Sequence, residues 1–192
     1  MTSPYIMDPF NWGGDSGMSF TPKPASAFKL SPRDRMRKVT VLLLDVDGVL
    51  TDGRIIRLPD GQEAIAFDVK DGAAIIRVQR EAGIRVGLIS GRTSPMVEQR
   101  ADELGIEIRR LGVEDKLATY REIVESEGLA DEEIAYVGDD HLDLPVMERV
   151  GIAFAPLDAS EAAQEAAEIV TTHFGGRGAV RDVCEMLIEA RG

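Results

Sequence analysis

The stretch Val39-Thr-Val-Leu-Leu-Leu-Asp45-Val-Asp47-Gly-Val-Leu-Thr-Asp52 sets a nearly unbroken apolar run against a cluster of carboxylates. An apolar run without alternation marks a strand buried on both faces, as strands are in a parallel sheet. The acidic residues begin where the run stops, so they stand at the strand's carboxyl end. The same arrangement recurs along the chain. Ile84-Arg-Val-Gly-Leu-Ile89 is a second run, followed by Ser90-Gly91-Arg92, and Ile134-Ala-Tyr-Val137 is a third, followed by Gly138-Asp139-Asp140-His141-Leu142-Asp143. Further short strands are expected at 106–108, 152–155 and 169–170. Helices are expected from Thr93 or Ser94 to Leu104, with Pro95 in the first turn, and over 115–127 with Gly128 as the stop. Others fall at 142–150, 160–168 and 179–191.

This alternation predicts an α/β fold, a three-layer Rossmann-like parallel sheet with helices on both faces. The exception lies between Asp52 and Asp68. There Arg54-Ile-Ile-Arg-Leu58, Pro59-Asp60-Gly61 and Gln62-Glu-Ala-Ile-Ala-Phe67 read as a β-hairpin, a flap beside the end of the first strand.

The composition excludes several functions. Among 192 residues, 34 are acidic and 22 basic, a net charge of -12 that repels nucleic acid and anionic membranes. The single cysteine, Cys184, rules out an internal disulfide framework or a thiolate metal site. No apolar run reaches the roughly 20 residues of a membrane span, and no basic segment followed by an apolar one opens the sequence. A cytoplasmic enzyme is the expectation. Residues 1–37 differ from the rest: Pro4, Pro9, Pro22, Pro24 and Pro32 punctuate a segment without apolar period, expected to be a flexible tail. The folded domain is expected over 38–192.

Ligands of doubly wound sheets bind outside the carboxyl ends of the strands. The residues there are Asp45, Asp47, Ser90, Asp139, Asp140 and Asp143, with Lys116 opening a helix nearby. Clustered carboxylates repel unless a cation or shared protons offset them, and an all-oxygen set without cysteine suits Mg²⁺. Hydrolysis of a phosphate ester needs an in-line nucleophile, an acid for the leaving alkoxide and positive charge for the equatorial oxygens. Asp45 suits the first role and Asp47 the second. Ser90, Lys116 and a metal suit the third.

The ordered set Asp45-x-Asp47-Gly-x-x-Thr-Asp52-Gly, Ser90-Gly-Arg92, Lys116 and Gly138-Asp-Asp-x-x-Asp143 resembles the haloacid dehalogenase superfamily. Phe67-Asp-Val-Lys-Asp-Gly72 and Gly175-Gly-Arg-Gly-Ala-Val-Arg181 are similar to its capless subgroup acting on phosphorylated sugar acids, and the likeness covers about residues 38–190. It implies that Asp45 is the phosphorylated nucleophile and a metal ligand. Asp47 would be the acid/base, touch substrate and lend its backbone carbonyl to the metal. Asp139 would be the third ligand, and Asp140 or Asp143 would hold a water of the metal's coordination sphere. Ser90 and Lys116 would contact the phosphoryl group. Asp68, Val69, Lys70, Asp71 and Gly72, with Arg77, Arg92 and Arg100, would contact substrate. Arg77 is the loosest match, because the stretch from Asp71 to Ile84 is one residue longer than usual.

About 42 residues separate Asp47 from Ser90 and about 25 separate Ser90 from Lys116, too few for a cap domain with its own core. Capless relatives are homotetramers in which neighbouring subunits close each site. That implies a role for the hairpin in assembly and for Arg177 in covering an adjacent site. The implied substrate is an octulosonate 8-phosphate of lipopolysaccharide sugar synthesis. Arg92 and Arg177 favour it over a nonulosonate 9-phosphate. A non-catalytic assembly module is the reading from another class, disfavoured by retention of Asp45, Asp47, Lys116 and Asp139.

Plainer readings stand beside these. Ser90 alone reads as a cap and Lys116 as a solvated helix residue. Asp143 fits a helix start, where it would stabilise the dipole. Arg92 and Arg100 are also placed to pair with Glu98 or Asp102 on one helix. The Gly-rich segment also reads as a link, His141 as a local pocket or capping residue, and Cys184 as core.

Overall fold

Six parallel strands form the centre of the protein: β1 (Val41–Leu44), β4 (Arg85–Ser90), β5 (Ile108–Leu111), β6 (Ile134–Val137), β7 (Ile152–Ala155) and β8 (Ile169–Val170). The computed structural model describes residues 30–192. The strand order is β5-β4-β1-β6-β7-β8, so β1 lies in the interior between β4 and β6. Leu44 pairs with Leu88 on one side and Val137 on the other. The apolar runs are therefore buried because each strand is covered on both faces.

Alternate residues of β1 serve two separate cores. Leu42 and Leu44 pack with Ile75 and Val78 of α2 (Val69–Ala82), Val97 and Ala101 of α3 (Pro95–Glu103), and Val180, Val183 and Leu187 of α7 (Ala179–Arg191). Val41 and Leu43 pack with Tyr120 and Ile123 of α4 (Lys116–Glu127), Val146 of α5 (Leu144–Met147) and Ala163 of α6 (Glu161–Ala166). These are the three expected layers. Gly128 ends α4 in the left-handed conformation, φ 64°, where a side chain would be strained. Among the described residues no helix is long and apolar enough to cross a membrane.

The hairpin is present but short. Strands β2 (Ile56–Arg57) and β3 (Glu63–Ala64) pair antiparallel over two residues each, and the base is fixed by Ile65 and Phe67 packing on the core. With α2, it fills the interval between β1 and β4. No cap domain occurs among the described residues.

Three sequence expectations are corrected. The fifth strand is Ile108–Leu111 rather than 106–108. Arg109 and Arg110 disguise it, and charged residues are tolerated there because β5 is a sheet edge. The expected helix over 142–150 is regular only at Leu144–Met147. The expected tail also ends sooner than 37: residues 1–29 lie outside those described, but α1 (Pro32–Met36) is folded, capped by the Ser31 hydroxyl. Arg35 anchors it, its Nε donating to the Gly151 carbonyl at 2.6 Å and its Nη2 meeting Glu168 Oε1 at 2.8 Å. Five prolines and charged residues concealed a helix whose stability comes from docking, not from an apolar period.

Candidate active site

Because β4, β1 and β6 are neighbours, the residues following them converge. Asp45 leaves β1 with its N–H still donating to the Val137 carbonyl at 3.0 Å, which holds its side chain against the end of β6. Ser90 is the last residue of β4, and its buried hydroxyl accepts from the Arg92 N–H at 3.2 Å. Lys116 opens α4, whose N-cap is Asp115, and reaches inward rather than to solvent. Its ammonium lies 3.0 Å from Asp45 Oδ2 and 2.7 Å from Asp143 Oδ1.

Asp143 organises this end of the sheet. It is only 1% exposed. Oδ1 accepts from Lys116 at 2.7 Å and from the Tyr136 hydroxyl at 2.6 Å, while Oδ2 accepts from the Asp139 and Asp140 N–H groups at 3.1 and 3.2 Å. Four donors thus fix one carboxylate, and through it the loop carrying Asp139. Asp140 is exposed, and its side chain accepts from the neighbouring His141 N–H at 2.8 Å. Gly48, at φ 93°, backs directly on the Asp139 carboxylate, where any side chain would collide with it.

Carboxylate oxygens of Asp45, Asp139 and Asp143 lie within 4.8 Å of one another. Burial, followed by the charge of Asp143, pushes the Asp45 carboxyl up to about 6. Burial, followed by Asp45 and Asp143, pushes Asp139 up to about 8. Burial alone would depress the Lys116 ammonium, but the two carboxylates beside it outweigh this and hold it above its ordinary value. Three acids against one ammonium leave excess negative charge in a partly desolvated space. That charge and the all-oxygen donor set fit a divalent cation.

The remaining predicted residues fall into different settings. Asp47 is half-buried, 3.7 Å from Arg92 Nη1. Arg92 Nη2 donates to Glu63 Oε2 of the hairpin at 2.7 Å. Arg100 sits 5.8 Å over the Phe67 ring, donates to Glu103 at 3.0 Å and fills the space beside Gly72. Asp68 caps α2 by accepting from the Lys70 N–H at 2.7 Å, while Val69 is 79% exposed. Asp71 turns the other way: it is buried and accepts from the Gly178 and Arg181 N–H groups at 3.1 and 2.8 Å, capping α7 from outside. Burial raises its carboxyl despite those bonds. Arg77 lies roughly 12 Å along α2 from its start and pairs with Glu81, so it is not brought to the strand ends. Arg177 is exposed and 3.4 Å from Asp52, while the Gly176 N–H donates to Val49 O at 2.8 Å.

Sequence reasoning missed Tyr136 and Glu63. Tyr136 lies inside a fully buried run, where no alternation shows which face it takes. Glu63 reads as an ordinary exposed strand residue. Cys184 is core, as expected.

Known proteins resemble most of this chain. The haloacid dehalogenase-like hydrolase profile matches residues 106–180. The 3-deoxy-D-manno-octulosonate 8-phosphate phosphatase of Escherichia coli strain K12 is 43% identical over 169 residues, 88% of either chain. The crystal structure of the enzyme of that name from Yersinia pestis superposes with a TM-score of 0.80 at 40% identity, covering 83% of this chain and 85% of that one. That from Moraxella catarrhalis, in complex with magnesium ion, phosphate ion and KDO, gives 0.81 at 35% identity, covering 83% and 91%.

Proposed function

This chain belongs to the haloacid dehalogenase-like hydrolase family, and on that premise we propose that it hydrolyses 3-deoxy-D-manno-octulosonate 8-phosphate to the free sugar acid and phosphate. The observation that carries the reading is the Lys116 ammonium, buried between Asp45 and Asp143 at the ends of adjacent strands. A buried lysine beside a carboxylate nucleophile offers positive charge where phosphoryl oxygens arrive.

Asp45 attacks phosphorus through a carboxylate oxygen, and the bond from phosphorus to the sugar's O8 breaks. Asp47, two residues on, delivers its proton to that leaving oxygen. The product is an aspartyl phosphate on Asp45. Asp47, now ionised, takes a proton from water as the water attacks phosphorus, and Asp45 is regenerated with release of phosphate. Lys116 and the Ser90 hydroxyl hold phosphoryl oxygens through both steps.

Asp45, Asp139 and the Asp47 carbonyl would hold Mg²⁺, which supplies charge neutralisation of the phosphoryl group when bound. Asp143, with all its acceptor directions taken by protein donors, orients Asp139 and Lys116. Arg92 is the donor for the substrate carboxylate, since a guanidinium fork matches it in two parallel bonds. Asp68, Val69, Lys70, Arg100 and, from a neighbouring subunit, Arg177 line the sugar in a cytoplasmic homotetramer, while Asp71 braces α7 behind them. The exposed Ile55, Ile56 and Leu58 of the hairpin support its use in assembly.

Phosphate release from the 8-phosphate, measured with Mg²⁺ and with chelator, tests the reading. Asp45→Asn is expected to lose at least ~10³-fold in kcat. Activity surviving in that variant, or without a divalent metal, would end the mechanism. A higher kcat/KM on a nonulosonate 9-phosphate would reassign the substrate.

A further inference from the structure

Arg92 is divided between two acids. Nη2 donates to Glu63 Oε2 at 2.7 Å, and Nη1 faces Asp47 Oδ2 at 3.7 Å. Binding a substrate carboxylate in two parallel bonds requires both nitrogens of one edge of the guanidinium. With Nη2 donating to Glu63 and Nη1 turned to Asp47, both terminal nitrogens already face acids of the protein, and a substrate carboxylate has to compete with Glu63 for Nη2. Glu63 is therefore a competitor supplied by the protein itself.

The hairpin also offers Glu63 another partner. Arg57 is its register partner across β2 and β3, with Nε 3.6 Å from Glu63 Oε1. When Arg92 is taken by another carboxylate, Glu63 remains paired with Arg57. The exchange trades one ion pair for another and leaves Glu63 with a partner. Side-chain exposures of 39% for Arg92 and 32% for Glu63 put the contact where water can assist the exchange.

We infer that Glu63 is a specificity residue, a resident stand-in for the substrate's carboxylate that holds Arg92 and ties the hairpin to the site until a carboxylate-bearing substrate displaces it. A phosphate ester without a carboxylate leaves the Arg92–Glu63 contact in place, so it gains nothing from Arg92. The inference rests on the site being one for a phosphorylated sugar acid.

The test is steady-state kinetics of Glu63→Gln on two substrates, 3-deoxy-D-manno-octulosonate 8-phosphate and p-nitrophenyl phosphate. Removing a partly exposed competing ion pair is expected to lower KM for the sugar acid about 2- to 5-fold. Turnover should stay within about two-fold, and KM for p-nitrophenyl phosphate should move less than about two-fold. An unchanged or raised KM for the sugar acid would overturn the inference, as would an equal change on both substrates, which marks a general effect of the hairpin. Failure of the functional reading looks different: the unaltered enzyme would then show no preference for the sugar acid over p-nitrophenyl phosphate.

Discussion

Replacing Asp143 by Asn changes one buried atom, and the distances around that atom set the cost. At an effective dielectric of about 20, the 2.7 Å pair with Lys116 is worth ~6 kcal/mol of attraction. The ionised Asp45 carboxylate within 4.8 Å repels Asp143 by at least ~3.5 kcal/mol at the same dielectric, whereas Asp139, pushed up to about 8, is largely protonated at neutral pH. Charge alone therefore leaves at most ~2.5 kcal/mol of net attraction, and the hydrogen bonds add to the loss. Whichever way the amide turns, its NH₂ meets two donors: Lys116 and Tyr136, or the Asp139 and Asp140 N–H groups. Leaving such donors unpaired costs about 1–3 kcal/mol each. The Tyr136 hydroxyl can rotate to accept, so a net loss of roughly 3 kcal/mol is expected. For a domain of this size that is a fall in melting temperature of about 6–12 °C. Scanning calorimetry of metal-free protein at neutral pH reads it directly. A melting temperature unchanged or raised would mean that repulsion dominates and that Asp143 does not serve to brace the loop.

Two further outcomes come from the same geometry. Asp45 and Asp139, pushed up to about 6 and about 8 by burial and then by neighbouring carboxylates, bind protons more tightly folded than unfolded. The contribution of these two groups to metal-free stability should therefore be fully present below about 4 and be lost as pH rises through about 6 and 8, by up to ~3 kcal/mol for the Asp45 shift. Melting curves across that range with chelator should show the decline and those with Mg²⁺ should not; parallel curves would refute the assignment. Arg35→Ala leaves the Gly151 carbonyl and Glu168 without that partner and should cost about 3 kcal/mol. Hydrogen exchange should then show early loss of protection across residues 31–39, with kcat at low temperature retained.

The architecture was legible wherever an apolar run met a polar end. Asp45, Ser90 and Asp139 could be placed because strand ends are marked by composition, and Lys116 because Asp115 and Gly128 bracket its helix. Direction was not legible. Asp71 and Asp68 look equivalent in sequence, yet Asp71, three residues on, turns to α7 while Asp68 caps its own helix. Arg77 has the right charge and the wrong distance. The role of Asp143 was left between two readings because its four donors come from α4, β6 and its own loop, and no local pattern reports such a meeting. Strand β5 was misplaced since an edge relaxes the demand for apolar residues that made the interior strands readable.

Asp71 joins the start of α2 to the N-terminus of α7 across 107 residues of chain, and the Gly176 N–H does the same for the loop after Asp45. This fixes an order of events during synthesis. The loop after Asp45 leaves the ribosome early, but the segment that backs it is made only after β8. Contacts of such sequence separation form late, because loop closure must precede them. A nascent chain halted before α7 would carry Asp45, Ser90, Lys116 and the Asp143 network but not the contacts that hold the starts of α2 and of the loop after Asp45. Activity should therefore appear in one step as α7 docks, without a weakly active intermediate on the way.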